Sequence, residues 1–480
     1  MTLVDPSDPR PVHFIGIAGA GMTALAELLS RRGAKVTGTD ANPAGAPDLA
    51  ALAIAVHAHD AALVQHARAV VFSSAIPSTH PEMEAARELG LPLVRRAEAL
   101  AEAVSGGTLV GISGTHGKTT TTVMTTEALA AAGRNPTGVV GGRVGLWGGN
   151  LRLGGDTYVV ESDEYDRSFL ALSPDVAVVL NVEADHLDIY RDLNDITRAF
   201  EQFITPARVV VRCADDTGAM ALRVRSNSEV IAYSASTPPS PDARLIARDV
   251  VIDAADTHFD VVFDGELLGR VQLAVPGLHN VRNALAAIGA GLALGLTLPS
   301  LAPGLAAFRG VERRFQRLGN ANGVEVVDDY AHHPTEVQAT LAAARLSFPS
   351  RRLVLAFQPH LYSRTRDLHQ EFADALNGAD ALFLCDIYAA REAPDPSVTS
   401  ALIAARVAPD RLQWQGPRDR CASALREFVR DGDLVITMGA GDITRTGPEL
   451  LHALEVNAAA VSVADAAAFD VSTTTGRTNG

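Results

Sequence analysis

The stretch Gly111-Ile-Ser-Gly-Thr-His-Gly-Lys-Thr-Thr constrains the fold more than any other part of this 480-residue chain. An apolar run from Thr108 to Ser113 leads into it, and a helical pattern from Thr122 to Ala131 follows. A glycine loop between a strand and a helix turns backbone N–H groups inward around phosphate, and the helix adds the positive end of its dipole. Only two lysines occur in the chain, Lys35 and Lys118, although Lys and Arg together number 41. Lys118 stands in this loop, where a compact ammonium on a flexible stem reaches phosphate oxygens that a rigid planar guanidinium cannot reach equivalently. Thr119 then places a hydroxyl toward Mg²⁺. The spacing is shorter than the strict Walker pattern, because Ile112 occupies the position of that pattern's first glycine.

The alternation of short apolar runs with helical patterns recurs along most of the chain, which predicts α/β units on parallel sheets. Strands are expected at Val12–Ile17, Lys35–Thr39 and Ala69–Ser73, with a helix from Met22 to Arg32. Gly106-Gly107 breaks the pattern just before the phosphate loop. Further strands are expected at Tyr158–Glu161, Val176–Asn181 and Arg208–Val211. Between Arg244 and Val275, alternating residues with an Asp264-Gly265 turn predict a small antiparallel appendage. A third series begins after Arg313-Arg314, with strands at Val324–Val327, Leu353–Phe357, Ala381–Cys385 and Leu434–Thr437. The expected fold class is therefore α/β in three domains. They are an N-terminal Rossmann-like domain (1–106), a central P-loop ATPase-type parallel sheet with its appendage (107–312) and a C-terminal Rossmann-like domain (313–455). The Ala/Ser/Thr-rich residues 456–480 are expected to be a disordered tail.

Bulk properties exclude some functions. A net charge of −15 argues against nucleic-acid binding, which needs a basic face. Cys213, Cys385 and Cys421 have no close spacing, so neither a disulfide framework nor a metal knuckle is expected, and a reducing cytoplasm fits. No basic start leads into an apolar run, and no segment approaches eighteen consecutive apolar residues. The expectation is a cytoplasmic protein with no membrane partner.

Other motifs gather at expected strand ends. Gly16, Gly19 and Gly21 follow the first strand, with Asp40 near the end of the next. Such a turn binds any diphosphate, so NAD and a nucleotide-sugar pyrophosphate fit alike. Two acidic clusters, Glu161-Ser-Asp-Glu-Tyr-Asp and Asn181-Val-Glu-Ala-Asp-His-Leu-Asp, end neighbouring strands. Carboxylates and His186 can converge there on Mg²⁺ and triphosphate. Glu161 and His186 are the chosen ligands, and the remaining acids default to structural roles. His279, Asn280 and Asn283 lie on one polar helix face that could hydrogen-bond a base, or could simply cap the helix. The third domain offers Asp328-Asp-Tyr-Ala-His-His-Pro-Thr-Glu and Phe357-Gln-Pro-His-Leu-Tyr-Ser-Arg-Thr-Arg. The His-His pair suggests zinc, but Arg364 and Arg366 favour an anion instead.

In their order, FIGIAGAGM, SSAIPSTHPE, GTHGKTTT, ESDEYDRSFL, NVEADHLD, PGLHNVRNA, RRFQ, DDYAHHPTEV, FQPHLYSRTR and TMGAGDI resemble the motifs of the Mur ligases of peptidoglycan synthesis. The resemblance points to the alanine-adding branch and spans Phe14 to Ile443. It implies joining of L-alanine to the carboxylate of UDP-N-acetylmuramate at the expense of ATP, with two Mg²⁺ ions, in a monomer or weak homodimer. Gly16, Gly19, Gly21, Met22 and Asp40 would then lie around the UDP pyrophosphate, with Ser73 and Ser74 near the uridine. Gly114, Thr115, His116, Gly117, Lys118, Thr119 and Thr120 would hold ATP. His279, Asn280 and Asn283 would contact the adenine region, and Arg314 and Asp329 would reach the nucleotide. Thr119, Glu161 and His186 would hold metal, and Tyr330, His332 and Arg364 the amino acid. Lys118, Glu161, His186, Arg314 and His332 would carry the chemistry, and substrates spread over three domains imply closure. No lysine follows Lys118, so the carbamylated-lysine metal bridge of several related ligases is chemically unavailable. Leu361 stands where some alanine-adding ligases have arginine, which shifts carboxylate recognition toward Arg364.

Overall fold

The structure, a computed structural model, describes residues 2–5, 7–187, 189–253, 256–390 and 392–456. Residues 456–480, expected as a tail, lie outside the described residues apart from Val456. The chain divides into two compact units, Met1–Glu312 and Arg313–Gly480.

The first unit carries two sheets. Strands β1 (Val12–Ile15), β2 (Val36–Thr39), β3 (Ala55–His57), β4 (Ala69–Phe72) and β5 (Leu93–Arg95) form a parallel sheet in the order β3-β2-β1-β4-β5. The fully buried β1 sits at its centre, as a near-continuous apolar strand of a parallel sheet should. The three-residue β3 and β5 escaped the sequence reading because they are too short and too exposed to show a period.

The second sheet has ten strands: β6 (Thr108–Ser113), β7 (Thr137–Val144), β8 (Gly149–Arg152), β9 (Thr157–Glu161), β10 (Val176–Val179), β11 (Val209–Cys213), β12 (Glu229–Ser234), β13 (Leu245–Ile252), β14 (Thr257–Phe263) and β15 (Glu266–Leu273). Their order is β15-β14-β13-β12-β11-β10-β6-β9-β7-β8. The expected antiparallel appendage is present but is not separate. Strand β13 pairs parallel with β12, and the β13–β14–β15 meander extends the same sheet. At the opposite edge, β7 and β8 form a second antiparallel pair that the sequence did not announce. Helices Lys118–Ala131 and Leu278–Ala293 cover this sheet, and both bury apolar faces in its core.

The second unit holds β16 (Gln316–Ala321), β17 (Val324–Asp329), β18 (Arg352–Phe357), β19 (Ala381–Cys385), β20 (Leu412–Gly416) and β21 (Asp433–Met438), ordered β16-β17-β21-β18-β19-β20. All neighbours pair parallel except the edge strand β16, which is antiparallel to β17. Strands β17 and β21 are buried along their whole length. Among the described residues, no helix is long and apolar enough to cross a membrane.

Candidate active site

Three adjacent parallel strands build the site. Strand β6 pairs with β9 on one side and β10 on the other, so their C-terminal ends open on the same edge. The phosphate loop leaves β6, the first acidic cluster leaves β9, and the segment with His186 follows β10. The loop needs its glycines: Gly114 has φ +146° and Gly117 φ +84°. A Cβ on Gly117 would lie 2.9 Å from Asn283 Oδ1, which also places the Leu278–Ala293 helix against the loop. The following helix begins at Lys118 itself, a full turn earlier than the sequence pattern indicated. Polar threonines at 119–122 hide that turn from a hydrophobic-period reading, yet all four are buried.

Lys118 Nζ donates to Gly114 O at 2.8 Å and to Glu164 Oε2 at 2.6 Å, and lies 3.5 Å from Asp163 Oδ1. Burial on its own would lower the ammonium's pKa. The charges of Glu164 and Asp163 outweigh it, so the group stays charged with its pKa above the ordinary lysine value. Glu164 Oε1 lies 3.6 Å from His186 Nε2. Glu164 links the loop lysine to His186, a contact that the sequence reading, which left acids other than Glu161 to structural roles, did not anticipate. Its side chain faces inward from a buried position, which spacing alone could not reveal.

Glu161 takes a different place. Its Oε1 accepts from Thr119 Oγ1 at 2.9 Å and its Oε2 from Gly141 N–H at 2.6 Å. Burial raises its carboxyl above the usual range in spite of these bonds. The expected set of Thr119, Glu161 and His186 thus resolves into two parts, Thr119 with Glu161 and His186 with Asp163 and Glu164. The ligand atoms of the second part lie within 4.8 Å of one another. Among the described residues, Glu164 Oε1 and His186 Nδ1 are buried without a hydrogen-bond partner, and His186 has a left-handed φ of +54°. Orphaned polar atoms and local strain of this kind mark functional positions. Carboxylates and a hydroxyl are hard oxygen donors suited to Mg²⁺, so the residues fit the metal.

Neighbouring loop residues are held by β10's extension. His116 N–H donates to Asn181 Oδ1 at 2.7 Å, and Thr115 Oγ1 accepts from Glu183 N–H at 2.9 Å. Thr120 is buried on the helix. Asn280 Nδ2 donates to Pro276 O at 2.7 Å, and Asn283 Nδ2 to Asn280 Oδ1 at 3.3 Å. His279 precedes them on the same helix.

At the N-terminal turn, Gly16 has φ +77°, while Gly19 caps the Ala20–Arg31 helix with φ −64°. Met22 is buried beneath it. Asp40 Oδ2 accepts from Ala18 N–H at 2.9 Å and Oδ1 from Asn42 N–H at 2.8 Å, so its carboxylate shapes the turn. Ser73 and Ser74 follow β4, and Ser74 lines a polar cavity with Arg95 and Arg96. Sequence reading missed both arginines, since the only available signal was a basic pair opening a helix.

In the second unit, Asp329 Oδ1 and Oδ2 accept from Ala331 N–H (2.8 Å) and Phe315 N–H (2.7 Å). Burial pushes this carboxyl up to about 6 although Arg314 opposes the rise. Arg314 lies over the Tyr330 ring at 5.2 Å and donates to Glu336 at 3.3 Å. The His332 ring stands edge-on to Tyr330 at 5.3 Å and to His360 at 5.7 Å. Arg364 lies 3.4 Å from His360 Nδ1. The structure thus brings Arg314, Asp329, Tyr330, His332 and Arg364 to one sheet edge. Leu361 is buried beside them with a left-handed φ of +72°, a strained conformation for a bulky residue.

Three family models match. "Mur ligase family, catalytic domain" covers residues 11–108, "Mur ligase middle domain" 112–291 and "Mur ligase, glutamate ligase domain" 313–441. The chain is 42% identical over 456 residues to the UDP-N-acetylmuramate–L-alanine ligase of Salinibacter ruber, covering 93% of this chain and 95% of that protein. It is 46% identical to the enzyme of the same name from Kineococcus radiotolerans, covering 92% and 96%. Among solved structures, the UDP-N-acetylmuramate-alanine ligase of Thermotoga maritima superposes with a TM-score of 0.79 at 26% identity, covering 93% of this chain and all of that one. With matching models along most of its length and close relatives end to end, this chain belongs to the Mur ligase family.

Proposed function

We propose that this chain is an ATP-dependent ligase that joins L-alanine to the lactyl carboxylate of UDP-N-acetylmuramate during cytoplasmic peptidoglycan precursor synthesis. One observation carries the reading furthest: Lys118, Glu164 and His186 form a single polar cluster at the ends of β6, β9 and β10. The likeness to the alanine ligases named above supports the choice of substrates. On this reading, residues 1–106 bind the UDP part, 107–312 bind ATP, and 313–455 bind the amino acid.

A carboxylate is a poor acyl donor. Its oxygen therefore attacks the γ-phosphorus of ATP, ADP leaves, and an acyl phosphate forms. The amine of alanine then attacks the carbonyl carbon, and phosphate departs from the tetrahedral intermediate. Such phosphoryl transfer rests on positioning and charge neutralisation. Lys118 supplies one positive charge at the loop, and Arg314 supplies another from the C-terminal domain. His279, Asn280 and Asn283 position the adenine end. Mg²⁺, expected as two ions, would be held by Thr119 and Glu161 and by His186 with its acidic neighbours, and would neutralise phosphate charge.

Tyr330, His332 and Arg364 seat alanine, with the Arg364 guanidinium on its carboxylate. His332 Nδ1 lies 3.0 Å from the Tyr330 carbonyl. His332 or a neighbouring carboxylate takes the proton that the amine must lose before it attacks. The test is phosphate release from ATP and Mg²⁺ with UDP-N-acetylmuramate, adding L-alanine, glycine, L-serine or L-Ala-γ-D-Glu-meso-diaminopimelate separately. Release that requires both the sugar and L-alanine is expected. Release only with the tripeptide would make the protein a peptide-recycling ligase, and release with none would overturn the reading.

A further inference from the structure

None of the sequence motifs falls on the segment that follows β19, yet this segment lies against the helix that carries Arg364. That helix runs Tyr362–Leu376, and the residue at its N-terminal boundary is Leu361. A leucine has no side-chain acceptor, so the first N–H groups of the helix need another partner. Glu392, 30 positions beyond Tyr362, supplies it.

Glu392 Oε2 accepts from the Tyr362 N–H and, at 3.2 Å, from the Ser363 N–H, while Oε1 accepts from Ser363 Oγ. One residue earlier, the Leu361 N–H donates to the Tyr388 carbonyl at 2.9 Å. Three consecutive backbone N–H groups, those of Leu361, Tyr362 and Ser363, are thus held by Tyr388 and Glu392. A turn closed by the Glu392 N–H on the Ala389 carbonyl at 2.9 Å joins these two residues, with Ala390 at a left-handed φ of +49°. Leu361 needs the hold. Its φ of +72° is unfavourable for a bulky side chain and persists only where neighbours over-determine it.

Arg364 comes next in the chain. It is buried, and its Nη1 lies 3.4 Å from His360 Nδ1. The Tyr388 ring in turn stacks on the His360 ring, with centroids 5.9 Å apart and planes 17° from parallel. Packing against Tyr388 is tight, since a Cβ on Gly441 would stand 2.7 Å from Tyr388 Cγ. The same short segment therefore fixes both the backbone that precedes Arg364 and the ring beside it. A carboxylate at a helix N-terminus also fills the place where the N–H groups would draw a free anion. An incoming carboxylate is left with the Arg364 guanidinium, whose fork matches it bidentately.

We propose that Glu392 is a positioning residue for amino-acid binding. By capping the Tyr362–Leu376 helix it aims Arg364, and it keeps the helix terminus closed to the substrate's carboxylate. Glu392 itself touches no substrate. The role of Arg364 rests on the function proposed above; the cap does not. A cap that served stability alone would sit at position 361 itself, where a serine, threonine, asparagine or aspartate could provide it. Supplied from the end of another strand, the cap instead ties the start of the helix to the segment that holds Tyr388 against His360.

The test is steady-state phosphate release by the full chain, beside amide hydrogen exchange at Tyr362 and Ser363. Glu392→Ala is expected to raise the KM for L-alanine by roughly 10-fold, the scale of a lost helix cap, and to speed exchange of both amides. The KM values for ATP and UDP-N-acetylmuramate should not move. Glu392→Gln, which keeps one acceptor oxygen, should recover part of the loss. Ser363→Ala removes one partner of the carboxylate and should shift the same KM by less. An unchanged KM for L-alanine in folded Glu392→Ala would overturn the positioning role, as would equal rises in all three KM values. Unchanged exchange at both amides would overturn the cap. Wild-type release that ignores L-alanine, while the variant's amides exchange faster, would overturn the alanine-ligase reading and uphold the cap.

Discussion

The N-terminal glycine turn and the phosphate loop are built alike, since each leaves a buried strand and opens a helix. They differ in how charge and strain are distributed. The phosphate loop has two glycines at positive φ, a lysine at the first helical position and acids from the neighbouring strand to hold it. In the N-terminal turn only Gly16 is left-handed, the capping Gly19 is extended, and Asp40 is bonded to the turn's own backbone. One corner carries its chemistry in its own sequence. The other is a shaped frame, and the cation beside it, Arg96, comes from the start of another helix. A motif match thus reports backbone geometry in both cases and charge in only one.

The largest break in this contrast should come at Lys118. Lys118→Ala is expected to lower turnover by roughly 100- to 1,000-fold, the scale of removing one preorganised charge stabiliser. Lys118→Arg should recover little, because the planar fork does not fit the space of the ammonium. Phosphate-release rates at saturating substrates check both, and near-normal turnover in either variant would remove the loop from the chemistry.

Next come the glycines. Gly117→Ala forces an alanine into left-handed backbone and against Asn283, and should destabilise the chain by about 1–3 kcal/mol while raising the KM for ATP. Gly19→Ala meets nothing nearer than 3.6 Å at a φ of −64°. It should change stability by no more than about 0.5 kcal/mol. Thermal unfolding of the pair measures the asymmetry, and equal losses would erase it.

The smallest effect concerns the anchoring of the N-terminal sheet. Glu82 is fully buried and accepts from Thr39 Oγ1 at 2.7 Å and Asp60 N–H at 3.0 Å, with His13 and His59 at 3.2 and 3.1 Å. Burial alone would raise its carboxyl, but these bonds hold it below the ordinary 4.5. A depressed acid contributes stability that is fully present above its unfolded pKa and lost as pH falls through the folded value. Melting temperatures of the wild type and Glu82→Gln should therefore differ most near neutral pH and converge as the pH falls below the ordinary 4.5 and through the lower folded value. A gap that widens on acidification would contradict this account.

Much of this could be read from the residues alone. The strands β6 and β19 fall where the apolar runs place them, and β1, β9, β17 and β21 within a residue or two at each end. Their runs are apolar because a parallel sheet buries both faces, which leaves a plain record in composition. The loop lysine was legible because so little lysine competes with it. Short edge strands such as β3 and β5 leave no such record.

The sequence by itself therefore determined the α/β class, the phosphate loop and the set of chemically competent side chains. These are local properties, set by periodicity and by residue type over a few neighbours. Only the tertiary structure decided which acids lie against Lys118 and His186. It turned Glu164 rather than Glu161 toward Lys118 and His186, and it joined β13–β15 to the main sheet. It also laid Arg96 across Gly21. Each of these is a contact between segments far apart in the chain, fixed by packing and side-chain direction, and spacing along the sequence carries no information about either.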